Sequence, residues 1–174
     1  MQPSATPAIA RPTVEQVLAW LEEVPDPEIP VVSIMDLGIV REVFWRHDEL
    51  VVAITPTYSG CPAMAVIEQE IGRALALRGL SKVRLERRLA PAWTTDWLSA
   101  KGRLQLREYG IAPPTEKVID IAGISRTPHV EPGVCCPHCG SAHTKLTSRF
   151  GSTACKALYK CTDCLEPFDY FKPH

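Results

Sequence analysis

Ile39-Val40-Arg41-Glu42-Val43-Phe44-Trp45 and Leu50-Val51-Val52-Ala53-Ile54-Thr55 are two short apolar, β-prone runs separated by the polar Arg46-His47-Asp48-Glu49. Together they read as a β-hairpin, and what flanks them decides the fold. Upstream, Thr13 and Gln16 have capping-box spacing, and Val14, Val17, Leu18 and Leu21 recur at helical intervals, so a first helix should run to about Glu23. Pro25, Pro27 and Pro30 then forbid helix and predict an extended loop from Val24 to Leu37. Downstream, Pro62 suits a first helical position with Cys61 at the cap. Met64, Ile67, Ile71, Ala74 and Leu75 make one apolar stripe, and Gly79 closes the end. Lys82 to Leu89 alternates as a half-exposed strand should, with Val83, Leu85, Arg87 and Leu89 on one side. The order helix, strand, strand, helix, strand predicts an α+β domain over 13–110, a small mixed sheet with helices on one face.

Beyond that unit, Trp93-Thr94-Thr95-Asp96-Trp97 forms a turn leading into a short helix with Trp97, Ala100 and Leu104 on one side, ended by Gly110 and Pro113-Pro114. Residues 111–133 have mixed polarity with scattered Pro and Gly and read as a linker. Residues 1–12, rich in Pro, Ala and Ser, read as a flexible tail. Residues 134–174 carry the strongest motif: Cys136-Pro137-His138-Cys139-Gly140, then Cys161-Thr162-Asp163-Cys164. Two C-x-x-C knuckles at this separation predict a zinc ribbon, because each tight turn offers two thiolates and the pair completes a tetrahedron. Thr144 to Phe150, Ala157 to Lys160 and Phe168 to Phe171 are its β-prone segments. A segment of about 40 residues needs such a staple to hold together. Four sulfurs alone do not choose between zinc and iron. Cys135 abuts the first knuckle and could replace Cys136, although Pro137 and Gly140 favour the Cys136–Cys139 turn.

The 174 residues are 45% hydrophobic and 22% charged, with a net charge of −1. Nucleic acid is not the expected partner, because phosphate-backbone affinity needs an excess of Lys and Arg. No apolar run approaches the roughly 20 residues that cross a bilayer, and the N-terminus lacks an apolar segment after a basic start, so neither membrane insertion nor secretion is expected. Seven cysteines without a secretory leader point to metal or thiol chemistry in a reducing cytoplasm.

In the first domain, Cys61 at a helix start would sit near unsatisfied backbone N–H groups and the positive end of the helix dipole, which favours thiolate. It is a candidate nucleophile or soft-metal ligand, or a buried helix-start residue. Asp26 and Glu28 place two carboxylates on a proline-stiffened loop, as oxygen ligands, a hydrogen-bonding clamp, an acid–base pair or a solvated turn. Asp36 reads as a turn residue. Trp93 and Trp97 read as core or interface anchors, and Thr55 and Thr57 could line a pocket with Cys61. Cys155 lies between the knuckles without a partner at metal-ligand spacing. It is a small core residue or a free thiol made acidic by Lys156. His138 and His143 read as solvent-facing, since four thiolates already complete a shell.

Asp26-Pro27-Glu28-Ile29-Pro30-Val31-Val32-Ser33-Ile34-Met35-Asp36-Leu37-Gly38 and Thr55-Pro56-Thr57-Tyr58-Ser59-Gly60-Cys61-Pro62 resemble the two signatures of the small domain shared by cytosolic iron–sulfur targeting factors and the SUF-system T protein. With Trp93 to Trp97, Tyr109 to Pro114 and Phe150 to Tyr159 added, the arrangement resembles the PaaD-type family of the bacterial phenylacetyl-CoA epoxidase system. The resemblance implies an accessory protein of aerobic phenylacetate catabolism that helps to mature iron–sulfur or iron centres. Its expected clients are the di-iron oxygenase subunits and the flavin-containing iron–sulfur reductase. Cys61 would be the reactive cysteine and a transient holder of iron or a cluster, with Asp26 and Glu28 the accompanying acidic motif. Cys136, Cys139, Cys161 and Cys164 would hold the ribbon's metal.

Two readings follow. In the first the chain is a non-catalytic maturation factor. In the second it is a structural or regulatory subunit without metal transfer, held to the oxygenase by its ribbon and Trp93 and Trp97. An independent thiol enzyme would need a base for Cys61, and only His47, remote in sequence, offers one.

Overall fold

The computed structural model describes residues 11–114 and 133–173. The first five elements are α1 (Val14–Leu21), β1 (Val40–Arg46), β2 (Glu49–Ile54), α2 (Met64–Ala76) and β3 (Val83–Arg87). A 3-10 turn (Thr95–Trp97) leads to α3 (Ala100–Glu108) and β4 (Ile111–Ala112). The ribbon strands are β5 (Thr144–Ser148), β6 (Lys156–Cys161) and β7 (Pro167–Phe171).

The capping box opens α1 as its spacing predicts: Thr13 Oγ1 accepts the Gln16 N–H at 3.2 Å, and Gln16 Oε1 accepts the Thr13 N–H at 2.9 Å. β1 and β2 pair antiparallel, whereas β2 and β3 pair parallel across the α2 crossover, so the sheet is mixed, in order β1-β2-β3. Leu50, Val52 and Ile54 of the central strand face α1 and α2 and are fully buried with Val17, Leu21, Ile67, Ile71 and Leu75. Each such side chain contributes about 1.5–3 kcal/mol. On the other face, Val51 and Ala53 are equally buried beneath the long side chains of Glu42, Arg46, Arg84, Glu86 and Arg88, which ion-pair above them.

Two helix expectations need correction. α2 begins at Met64, after a turn through Pro62 and Ala63, so Cys61 precedes the helix by a turn and does not cap it. In α3 the buried residues are Gly102 and Leu106, not Leu104, which is 56% exposed, and Trp97 belongs to the preceding 3-10 turn. The reason is Asp36: its carboxylate accepts the Ser99 hydroxyl at 2.6 Å and its carbonyl the Ser99 N–H at 2.8 Å, which turns the Gly102 side of the helix onto the loop. Asp36 is the turn residue its sequence position suggests, and it is also the buried joint between loop and helix.

The ribbon strands join β4 in a second sheet of order β4-β7-β6-β5, so the stretch read as a linker from 111 starts with a strand parallel to β7. The rest of that stretch, 115–132, lies outside the described residues, as do residues 1–10 of the tail. Phe171 and Cys155 of the ribbon are buried in the same apolar cluster as the first sheet and its helices. Trp93 closes this junction. Its ring meets Phe171 and its Nε1 donates to the Leu37 carbonyl at 2.8 Å. Among the described residues no helix is long and apolar enough to cross a membrane.

Candidate functional site

The four knuckle cysteines converge. Cys136 Sγ lies 3.7 Å from Cys164 Sγ, Cys139 Sγ lies 3.6 Å from Cys161 Sγ, and all four sulfurs are within 4.8 Å of one another. A metal about 2.3 Å from four tetrahedral sulfurs sets them roughly 3.8 Å apart, so this donor set fits a tetrahedral thiolate centre. The turns explain the convergence. Gly140, at φ +77°, closes the first knuckle, and its N–H donates to the Cys136 carbonyl at 2.9 Å. In the second knuckle Leu165 takes the equivalent left-handed position at φ +66°, and the Cys164 N–H points at Cys161 Sγ, 3.5 Å away. Cys135 is exposed and stands outside the cluster, which decides the first ligand position in favour of Cys136. His143 is exposed and hydrogen-bonds Asp163, and His138 is exposed against Gly110.

A second group forms where the ribbon meets the first domain. Asp26 is buried, and its Oδ1 accepts the N–H groups of Glu28 and Ile29, both at 2.9 Å. Of the roles open to the acidic loop, Asp26 thus takes the hydrogen-bonding clamp and fixes where Glu28 projects. Glu28 meets the ribbon: Cys155 Sγ stands 3.9 Å from its Oε2, and the Thr153 Oγ1 lies 3.0 Å from the same sulfur. Cys61, half-buried, packs against the same core beside Tyr58, whose carbonyl accepts the Cys61 N–H at 3.1 Å.

The electrostatics run against the acidity expected for both thiols. Burial pushes the Cys61 thiol up, and Glu28, Cys155 and Asp26 push it further, outweighing a hydrogen bond from the Ala63 N–H. Cys155 is likewise raised, first by burial and then by Glu28 and Asp26, against the Thr153 hydroxyl and Lys156. Glu28 is raised by burial and by Asp26. The helix-start argument fails at Cys61 because the helix begins later. The Lys156 argument fails at Cys155 first because the thiol is buried, and then because Glu28 and Asp26 oppose the one ammonium.

Cys155 is thus a buried core residue that also faces the acidic loop. Sequence reasoning singled it out but had no signal joining it to Glu28, since the two lie 127 positions apart. Lys156, itself buried and 3.6 Å from Asp169, was not expected inside. His47 occupies the exposed β1–β2 turn at φ +54°. The full length of β2, roughly 17 Å at strand rise, separates that turn from the segment leading to Cys61.

Comparison with known proteins fits this architecture. Residues 14–85 match the family model of the iron–sulfur cluster assembly protein, and residues 122–172 match that of the PaaD zinc beta ribbon domain. An assembly-type domain joined to a cysteine ribbon is therefore the class of protein. A relative from Escherichia coli K12, provisionally named as the D component of 1,2-phenylacetyl-CoA epoxidase, is 51% identical over 99% of both chains. The chain belongs to this PaaD-type family. Over its first half it is also similar to Fe-S protein maturation auxiliary factors. The one from Bacillus subtilis is 34% identical over 53% of this chain and 91% of that one. The one from Porphyromonas gingivalis is 32% identical over 54% and 90%.

Proposed function

We propose that this protein is a non-catalytic maturation factor that delivers iron, or an iron–sulfur cluster, to the multicomponent phenylacetyl-CoA epoxidase of aerobic phenylacetate degradation. The observation that carries the reading is the half-buried Cys61 thiol, packed on the apolar cluster that also takes in the acidic loop fixed by Asp26. A thiol kept protonated until a metal displaces its proton suits a carrier, whose cargo must leave as easily as it enters. The similarity to Fe-S maturation auxiliary factors supports the maturation role, and the name of the Escherichia coli relative supports the client system. The clients are the iron–sulfur flavoprotein reductase or the di-iron oxygenase.

In the same reading Cys136, Cys139, Cys161 and Cys164 hold zinc, with iron as the alternative occupant, and that ion has a structural role. The remoteness of His47 speaks against a thiol enzyme. A purely structural role in which Trp93 docks on the oxygenase loses support as well, because that ring is already covered by Phe171.

The test is Cys61→Ala in cells. Loss of iron and acid-labile sulfide from the reductase or oxygenase, with the variant still bound to them, is expected. Unchanged client metal would leave only a structural or regulatory role.

A further inference from the structure

We infer that β3 is a self-recognition edge: two copies of this chain pair antiparallel through Val83–Arg87, centred on Leu85, and join their three-stranded sheets into one. The inference is independent of what Cys61 carries.

The free edge follows from the ladder. In a strand the N–H and C=O of one residue point to the same side, and the side alternates from residue to residue. The Lys82 carbonyl accepts the Leu50 N–H at 2.9 Å and the Arg88 N–H donates to the Ile54 carbonyl at 2.8 Å, so residues 82, 84, 86 and 88 bond to β2. Val83, Leu85 and Arg87 therefore turn their backbone groups to the open side, where none of the described residues offers them a partner. The other sheet edges are blunted. β1 has a register shift between Val40 and Glu42, β5 has one between Leu146 and Ser148, and β4 is only two residues long. β3 keeps an unbroken register with β2 from Val83 to Arg87 and contains no proline.

The strand's sequence complements itself. Val83, Leu85 and Arg87 share the helix face with Leu50, Val52 and Ile54, whereas Arg84 and Glu86 share the outer face with Val51 and Ala53. Turned antiparallel about Leu85, Arg84 of one copy lies opposite Glu86 of the other, twice by symmetry, and Leu85 lies opposite Leu85. A slip of two residues in either direction keeps backbone partners but sets Arg84 against Arg84 or Glu86 against Glu86, so charge fixes the register. Arg84 reaches its own Glu86 only at 3.5 Å and has 55% of its side chain exposed, which leaves it free to take a second carboxylate. Just past the strand ends Lys82 would face Arg88, and each is already neutralised within its own chain, by Asp48 and Glu42 respectively. A contact of this length falls at the small end of specific interfaces, so the pairing is reversible and concentration-dependent.

The test is sedimentation velocity of the full, zinc-loaded chain over a concentration series, with amide hydrogen exchange read at the same concentrations. A reversible dimer is expected, in which the Val83, Leu85 and Arg87 amides become protected as concentration rises. Arg84→Glu and Glu86→Arg should each weaken dimerisation more than about tenfold by setting like charges opposite one another, and the double variant should restore it. Leu85→Pro should abolish the dimer with far-UV circular dichroism unchanged, because the Leu85 N–H faces away from β2 and its loss spares the ladder. A chain that stays monomeric throughout overturns the proposal, as does a dimer that leaves those amides unprotected. Should Glu86→Arg disturb the ion pairs with Arg46 and Arg88 and fail to fold, Arg84→Glu and Leu85→Pro decide. Both must lose the dimer, and its persistence in either overturns the proposal.

Discussion

The Trp93 indole meets the Phe171 ring edge-on, with centroids 6.0 Å apart and planes inclined at 60°, so a loop of the first domain and the last ribbon strand share one core. The two parts of the chain should therefore not unfold independently. Trp93→Ala or Phe171→Ala is expected to cost about 3–5 kcal/mol in urea unfolding. A double-mutant cycle should give a coupling of about 0.5–1.5 kcal/mol. Two separate transitions in the native chain, with the first domain unmoved by Phe171→Ala, would contradict this.

Metal removal follows from the sulfur positions. Cys136→Ser is expected to lose the ribbon metal, whereas Cys135→Ser should retain it fully, since Cys135 stands outside the cluster. Chelation should melt the ribbon and lower the stability of the whole chain through the Phe171 junction. Metal analysis beside thermal unfolding checks both points.

Much of this was legible in the chain itself. Thr13 and Gln16 declared their cap, the alternation of Val83 and Leu85 declared a strand, and the two knuckles declared their cluster, because each signal is local. What was not legible depends on distant partners. The start of α2 moved because Cys61-Pro62-Ala63 turn back on Tyr58. The buried face of α3 is chosen by Asp36, far upstream. Cys61, and Cys155 in its free-thiol reading, are raised rather than acidic because the fold buries them and, to a lesser degree, because Glu28 and Asp26 arrive from elsewhere in the chain. Cys155 could be flagged from its surroundings, but only the folded ribbon brings it to Glu28.

Two aspartates should give opposite pH signatures. Asp26 is raised, by burial above all, despite its backbone hydrogen bonds, so the stability it confers is complete below its unfolded pKa and declines as pH rises through the folded value. Asn keeps the Oδ1 acceptor for Glu28 and Ile29. Asp26→Asn is therefore expected to be at least as stable as the native chain at neutral pH and to lack that decline.

Asp36 runs the other way. Burial, its largest single influence, raises it, but hydrogen bonds from Ser99, Lys101 and Ser33 together bring it below the ordinary range. Its stabilisation is present above the unfolded pKa and is lost as pH falls through the folded value. Asp36→Ala should cost about 2–3 kcal/mol at neutral pH, as expected for hydrogen bonds to a charged group, and progressively less in acid. Chemical denaturation across the acidic range reads both variants.

The second knuckle offers a gain. Leu165 holds φ +66° with its side chain 64% exposed, a backbone region that suits glycine. Leu165→Gly is expected to raise ribbon stability by up to about 1 kcal/mol without changing metal content, measured by competition with a chelator.

The central claim is that iron passes through Cys61. The most direct measurement loads the purified chain with radioactive ferrous iron, mixes it with the iron-free reductase or oxygenase, and counts label on the separated client. The account expects transfer from the native chain, and neither retention of iron outside the ribbon nor transfer by Cys61→Ala. Equal labelling of the client by the native chain and by Cys61→Ala would contradict it.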